Sequence, residues 1–133
     1  MRISDFFKET AVLPSRDLQL YASKCLQAYC KAKSIQHRSV DELIAHLNNY
    51  PERDNLVDWE RKGAGLSLNG RGDDMPQELA LLISPQEAEE FSYVVDRAVE
   101  VGIADMYGAP TERPVKFLGE IALILHRNNI DLP

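Results

Sequence analysis

The stretch Ser84–Tyr107, SPQEAEEFSYVVDRAVEVGIADMY, has the pattern of a long amphipathic helix, and the rest of the chain is best interpreted around it. Ser84 and Pro85 are typical of a helix start, and Glu87 stands where the acid of a capping box is expected. Apolar residues then recur at steps of three and four, which places them on one side of the helix. These residues are Ala88, Phe91, Val94, Val95, Ala98 and Val99, followed on the same side by Gly102. We therefore predict a helix with this side in the core.

The opposite side of this helix is acidic and has a tyrosine at its centre. It carries Glu89, Tyr93, Asp96, Arg97 and Glu100. The surrounding segment concentrates the negative charge of the chain, because residues 73–105 contain nine acids and Arg97 as the one base, while the formal net charge of the whole chain is −6. Such a concentration repels nucleic acids and anionic membranes and attracts a basic surface. We therefore expect a basic protein partner, the alternative being an acidic face that serves only solubility.

Length and composition indicate a globular protein. At 133 residues and 15.0 kDa, the chain is predicted to form a single domain over residues 1–133. Hydrophobic residues make up 44% and charged residues 27%, which is ordinary for globular proteins. Met1–Phe7 lacks the apolar run of a signal peptide, and no segment reaches the roughly 20 apolar residues of a membrane span. These features predict a cytoplasmic location. Cys25 and Cys30 stand five apart in a helical pattern, a spacing at which they do not bridge each other.

Helical periodicity also covers most of the remaining chain. Serines are predicted to cap three of the earlier helices, at Ser4, Ser15 and Ser39. The last helix begins near Pro114 and is apolar almost all round, which is typical of a helix with neighbours on several sides. We predict an all-α bundle of five to seven helices, wrapped around the helices that contain Phe91 and Phe117.

Residues 63–75 break the helical pattern and are predicted to form a Gly-rich loop or a small hairpin. Charged side chains flank its four glycines, so a small polar site here is one possibility, and a surface loop with mutually paired charges is the other. Glu42 and His46 share a helix face but supply only half a metal site. No phosphate-binding or catalytic motif is found. We therefore predict a protein that is not an enzyme and that has no cofactor and no metal.

In its general build, and most of all in three short segments, the chain resembles the small immunity proteins that bacteria keep in the cytoplasm against nuclease toxins. The segments are Asp58-Trp59-Glu60, Asn69-Gly70-Arg71-Gly72-Asp73 and Asp105-Met106-Tyr107-Gly108. The resemblance implies a stoichiometric inhibitor, whose carboxylates cover the basic substrate groove of a toxin.

Under this hypothesis the acids of residues 73–105 steer the partner, and Tyr93 or Tyr107 anchors it. The predicted contact residues are Glu89, Tyr93, Asp96, Glu100, Asp105 and Tyr107. For Tyr93 a structural role under a neighbouring helix is equally compatible with the pattern. Two other classes of function stay open: a regulatory or adaptor domain without a toxin partner, and an enzyme whose site forms around residues 63–75.

Overall fold

Seven α-helices and one longer loop form the fold in the computed structural model, which describes residues 2–133. The helices are α1 (Ile3–Thr10), α2 (Ser15–Ala32), α3 (Arg38–Asn48), α4 (Leu56–Ala64), α5 (Gln77–Ala80), α6 (Pro85–Ile103) and α7 (Arg113–Arg127), with a turn of 3-10 helix at Arg53–Asn55. No strand occurs among residues 2–133, so the predicted all-α bundle is confirmed. The Gly-rich segment is a loop and not a hairpin. It begins after Ala64, because Gly63 still belongs to α4. Met1, the first residue of the predicted domain, lies outside the described residues.

The centre of the bundle consists of α2, α6 and α7, which pack against one another, while α3 packs on α2 and α1 on α7. The predicted core side of α6 is buried from Phe91 to Gly102, and only Ala88 is half-exposed. In α7 the fully buried hydrophobic positions are Leu118, Ile121, Ala122 and Leu125. Since α2 contacts both helices that the sequence placed at the centre, the bundle is built around three helices and not two.

Gly102 allows α2 to approach α6 closely. The buried Gln19 of α2 donates from Nε2 to the carbonyl oxygen of Ala98 at 2.9 Å. Its other amide atom, Oε1, lies over Gly102, where a Cβ would overlap it. The missing side chain therefore makes room for a hydrogen-bonded amide between the two helices.

The three predicted serine caps are wrong. Ser4 lies inside α1, and Ser15 is the first residue of α2, with the extended Pro14 before it. Ser39 is already in the first turn of α3, whose cap is His37: its ring Nδ1 accepts the Ser39 N–H at 3.1 Å. Pro14 supplies the extended backbone before α2, and the ring of His37 supplies the hydrogen-bond acceptor at the start of α3. Both compete with the preference of serine for the cap position.

The start of α6 lies where it was predicted, but its hydrogen bonds differ from a capping box. Ser84 precedes the helix, yet its hydroxyl donates to the carboxylate of Glu87 at 3.0 Å instead of accepting from the backbone. Glu87 also pairs with Lys33, directly after α2, at 2.8 Å. The bonds from Lys33 and then Ser84 lower the pKa of Glu87. Glu87 thus links the start of α6 to the end of α2.

The loop over residues 65–76 is held against α4 and α6. Arg71 donates from Nε to Glu60 at 3.1 Å and from Nη1 to the carbonyl of Asn69 at 2.7 Å. Gly70 has a φ of +66° and lies directly against Val99 of α6. These contacts position the loop against α6, where it lies next to Ser92 and Asp96.

Candidate functional site

Four of the predicted contact residues lie together on the outward side of α6. We call Glu89, Tyr93, Asp96 and Glu100 the outer face of α6. At about 100° of rotation per residue, they occupy an arc of roughly 60° around the helix axis. Glu89 is exposed, the exposed fraction of Tyr93 is 37%, and Asp96 and Glu100 are half-buried. The prediction of one shared face is therefore consistent with the geometry, and none of the four is packed in the core.

The acids of residues 73–105 divide into those with a partner in the chain and those without one. The paired acids are Asp73, Glu78, Glu87, Glu90 and Asp105. The carboxylates of the other four, Asp74, Glu89, Asp96 and Glu100, have neither a hydrogen bond nor an ion pair with any of residues 2–133. Three of these four belong to the outer face of α6. The carboxylates without a partner are thus concentrated at the predicted contact surface, whereas Glu87, Glu90 and Asp105 are each paired with a lysine or an arginine.

Tyr93 has a structural contact and an accessible ring at the same time. Its hydroxyl donates to Oε2 of Glu120 on α7 at 2.7 Å, and Nε of Arg97 donates to the same oxygen at 2.6 Å. The guanidinium of Arg97 lies 4.6 Å from the centre of the Tyr93 ring and 5.1 Å from that of Phe117. Tyr93 therefore links α6 to α7 while part of its ring stays exposed, and its role as an anchor for a partner stays a prediction.

Asp96 lines a depression between α6 and the Gly-rich loop. The depression has a volume of about 430 Å³, and Gly70, Asp73, Asp74 and Ser92 also line it. Burial raises the pKa of Asp96, against the lowering effect of Arg97, and the charge of Glu100 raises it further. A half-buried carboxylate without a partner is a favourable position for an incoming ammonium or guanidinium group.

Asp105 and Tyr107 lie beyond the other end of α6, about 20 Å from Glu89 along the helix. Asp105 accepts two hydrogen bonds from Thr111, at 2.7 Å to the backbone N–H and 2.5 Å to the hydroxyl, and pairs with Arg113 at 3.5 Å. Although partial burial raises the pKa of Asp105, these bonds lower it below its usual value. Asp105 therefore shapes the connection from α6 to α7. Tyr107 is 81% exposed and lies past the end of α6.

A groove between α6 and α7 adds residues that the sequence analysis missed. It has a volume of about 640 Å³. We call it the α6–α7 groove, and it is lined by Gln86, Glu89, Glu90, Tyr93, Glu120, Leu123, Ile124 and Arg127. The sequence signal that could have revealed the groove was Leu123. This residue is an apolar position of α7 outside the buried side of the helix, and its side chain is 51% exposed. Helical periodicity alone does not show which neighbour lies beside such a residue.

The candidate metal and polar sites of the sequence analysis have other interactions. Glu42 pairs with Arg38 at 3.4 Å, whereas the His46 ring stacks on Trp59 with 4.4 Å between the ring centres. In residues 2–133 there is no group of three or more histidine, cysteine or carboxylate side chains suited to a metal ion. In the Gly-rich loop, Arg71 forms an ion pair with Glu60.

Comparison of the chain with models of known protein families, with curated proteins and with solved structures gives no match. Among the described helices, none combines the length and the apolar character required to cross a membrane.

Proposed function

We propose that this protein is a non-catalytic binding protein that captures a basic partner through the outer face of α6. The observation that carries the proposal is the cluster of three uncompensated carboxylates around a rigid, accessible Tyr93, in a segment whose other acids are almost all paired. A tyrosine held in one orientation loses little conformational freedom on binding, and aromatic anchors provide much of the energy of protein interfaces.

The partner we propose is a nuclease-type bacterial toxin, and the protein is its cytoplasmic immunity protein. A nuclease needs a basic groove to hold phosphates, so the carboxylates of Glu89, Asp96 and Glu100 match its charge. Uncompensated acids also accelerate the encounter with a basic surface at low salt. The resemblance of three short segments to immunity proteins supports the toxin as the partner.

The raised pKa of Asp96 gives the proposed interaction a pH dependence. A basic side chain placed beside Asp96 favours the ionised carboxylate, so binding lowers the pKa of Asp96 and releases a proton from the fraction that was protonated. Affinity should therefore be greatest above the pKa of Asp96 in the free protein and should fall as the pH drops through it. An Asp96→Asn variant should show weaker binding and less of this dependence.

The test of the proposal is the replacement of all four outer-face residues of α6 with alanine. The native partner is captured on the immobilised protein, identified by mass spectrometry and then purified for affinity measurements. We expect the dissociation constant to rise by at least about tenfold, or 1.4 kcal/mol, and capture to weaken at high salt. For a nuclease partner, an equimolar amount of this protein should also inhibit the cleavage of nucleic acid.

A matched control removes the same number of negative charges elsewhere, by replacing the exposed Asp41, Asp54 and Asp131 with alanine. This variant should bind nearly as well as the wild-type protein. Equal binding by the wild-type protein and the outer-face variant would remove the assignment of this surface. A captured partner without toxin activity would instead support the regulatory or adaptor alternative.

A further inference from the structure

The α6–α7 groove has the dimensions of a binding site for about two turns of a helix. Along α6 its lining runs from Gln86 to Tyr93, and along α7 from Glu120 to Arg127. Each side therefore spans about 10 Å, or two helical turns. The hydrogen bond from Tyr93 to Glu120 lies at one end of the groove, and Arg127, at the other end of the α7 lining, donates to Glu90 near the middle of the α6 lining at 2.8 Å. The two helices run antiparallel and leave an open channel between their ridges.

Most of the charges in the groove are compensated within the chain. Glu90 accepts hydrogen bonds from Arg127, from Tyr29 at 2.9 Å and from Asn128 at 3.1 Å. Burial opposes the ionisation of Glu90, but these bonds together lower its pKa. The carboxylate of Glu120 is held by Tyr93 and Arg97, as described above. The walls are thus pre-organised, and Glu89 is the one carboxylate of the lining without a partner among residues 2–133.

The apolar part of the groove lies on α7. Leu123 is 51% exposed and stands beside Ile124, which is 7% exposed. The ring of Tyr93 closes the apolar surface from α6. A side chain that covered Leu123 would remove apolar area from water, which is the main favourable term in protein association.

The geometry points to a helix of a basic partner protein as the occupant of the α6–α7 groove. This helix places an apolar side chain against Leu123 and Ile124, and a lysine or arginine one turn away against Glu89. Two helices with a channel between them are the usual receptor for an amphipathic helix, which inserts side chains at positions i and i+3 or i+4. The inference rests on the proposed function and extends the contact surface from α6 to α7.

Charge distinguishes this occupant from a second copy of the same chain. The chain has a net charge of −6, and a copy that docked with the same face would bring its own Glu89 and acidic neighbours towards this groove. Like charges in apposition disfavour such a pair. A basic helix instead supplies a partner for Glu89 and leaves the existing ion pairs of the groove intact.

The test uses two synthetic probes and four forms of the 133-residue protein. The first probe is an alanine-based helical peptide of about 18 residues with leucine and lysine four positions apart, and the second has glutamate in place of lysine. Amide chemical shifts report where each peptide binds. The protein variants are Leu123→Ser, Glu89→Gln and the matched control Leu81→Ser, whose leucine is 77% exposed and does not line the groove.

We expect the lysine peptide to shift the amides of residues 86–93 and 120–127, and the glutamate peptide to leave them unchanged. Leu123→Ser and Glu89→Gln should each raise the dissociation constant of the lysine peptide by about fivefold to tenfold, and Leu81→Ser should not. Absence of shifts in the groove, an equal response to both peptides, or an equal effect of Leu81→Ser would overturn the inference. Concentration-dependent shifts at the groove without peptide would overturn it in favour of a second copy.

The same variants separate this inference from the proposed function. If Leu123→Ser captures the native partner as well as the wild-type protein does, while the outer-face variant of α6 fails, the groove inference is wrong and the proposed function stands. If the outer-face variant retains full capture, the proposed function itself is wrong.

Discussion

Substitution of Gly102 by alanine should destabilise the protein, although alanine favours helices. The new Cβ would overlap Oε1 of Gln19, so the buried amide would have to move and would lose its hydrogen bond to the carbonyl of Ala98. An unsatisfied buried polar group costs about 1–3 kcal/mol, and overpacking typically costs about 1–3 kcal/mol. The higher helix propensity of alanine offsets about 1 kcal/mol of this loss of stability. We expect a net loss of about 2–3 kcal/mol.

Urea denaturation followed by circular dichroism measures this loss, and thermal unfolding should show a melting temperature lower by roughly 10 °C. Gly119→Ala is the matched control, since Gly119 also lies within a helix. Its Cβ would meet the ring of Phe7 at 2.6 Å, but this ring is 38% exposed and free to turn away. The control should therefore be neutral, or more stable by up to about 1 kcal/mol.

A double-mutant cycle with Gln19→Ala tests the cause. In that background there is room for the Cβ, so Gly102→Ala should no longer destabilise, and the coupling energy should be about 2 kcal/mol. The reasoning fails if Gly102→Ala alone is as stable as the wild-type protein. It also fails if the loss of stability is the same with and without Gln19.

Three further predictions concern the Gly-rich loop and its neighbours. Gly70→Ala should cost about 2–3 kcal/mol in urea denaturation, because φ at this position is +66° and the new Cβ would lie 2.5 Å from Val99. Burial, together with the charges of Arg71 and Lys62, lowers the pKa of His46, so its contribution to stability is complete above about pH 6.5 and is lost as the pH falls towards the lower folded-state pKa. His46→Gln should flatten this part of the stability profile, and an unchanged profile would contradict the assignment. Arg71→Ala should cost about 1.5–3 kcal/mol through its lost charge-assisted hydrogen bonds and should raise the pKa of His46 in an NMR titration.

The sequence was sufficient for the features that depend on local pattern. Ser84 and Pro85 located the start of α6, and the period of the apolar residues identified its buried side. The predicted caps at Ser15 and Ser39 were wrong, because Pro14 and His37 occupy the cap positions of these two helices. For Gly102, the pattern predicted only that it lies on the apolar side of α6. Its partner Gln19, 83 positions earlier in the chain, had no local signal.

For the candidate site too, the sequence predicted what depends on a single helix and missed what depends on contacts between helices. Four of the predicted contact residues lie on one face, since a single helix determines which of its residues point the same way. Asp105 was predicted as one of the steering acids and Tyr107 as an alternative anchor, but both lie past the end of α6, where Asp105 bonds to Thr111. The α6–α7 groove depends on Leu123 of a second helix, and no pattern within α6 reveals it.

By itself, the sequence determined that the chain is helical, which side of α6 is apolar and where the acidic residues lie, because each of these is a property of spacing along one helix. Only the tertiary structure decided which of those acids are neutralised and which apolar residues of α7 stay uncovered. Ion pairs such as Arg127–Glu90 and Arg97–Glu120 join residues far apart in the chain, so their formation depends on how the helices pack. Packing thereby selected, from nine acids of similar chemistry, the few that remain available to a partner.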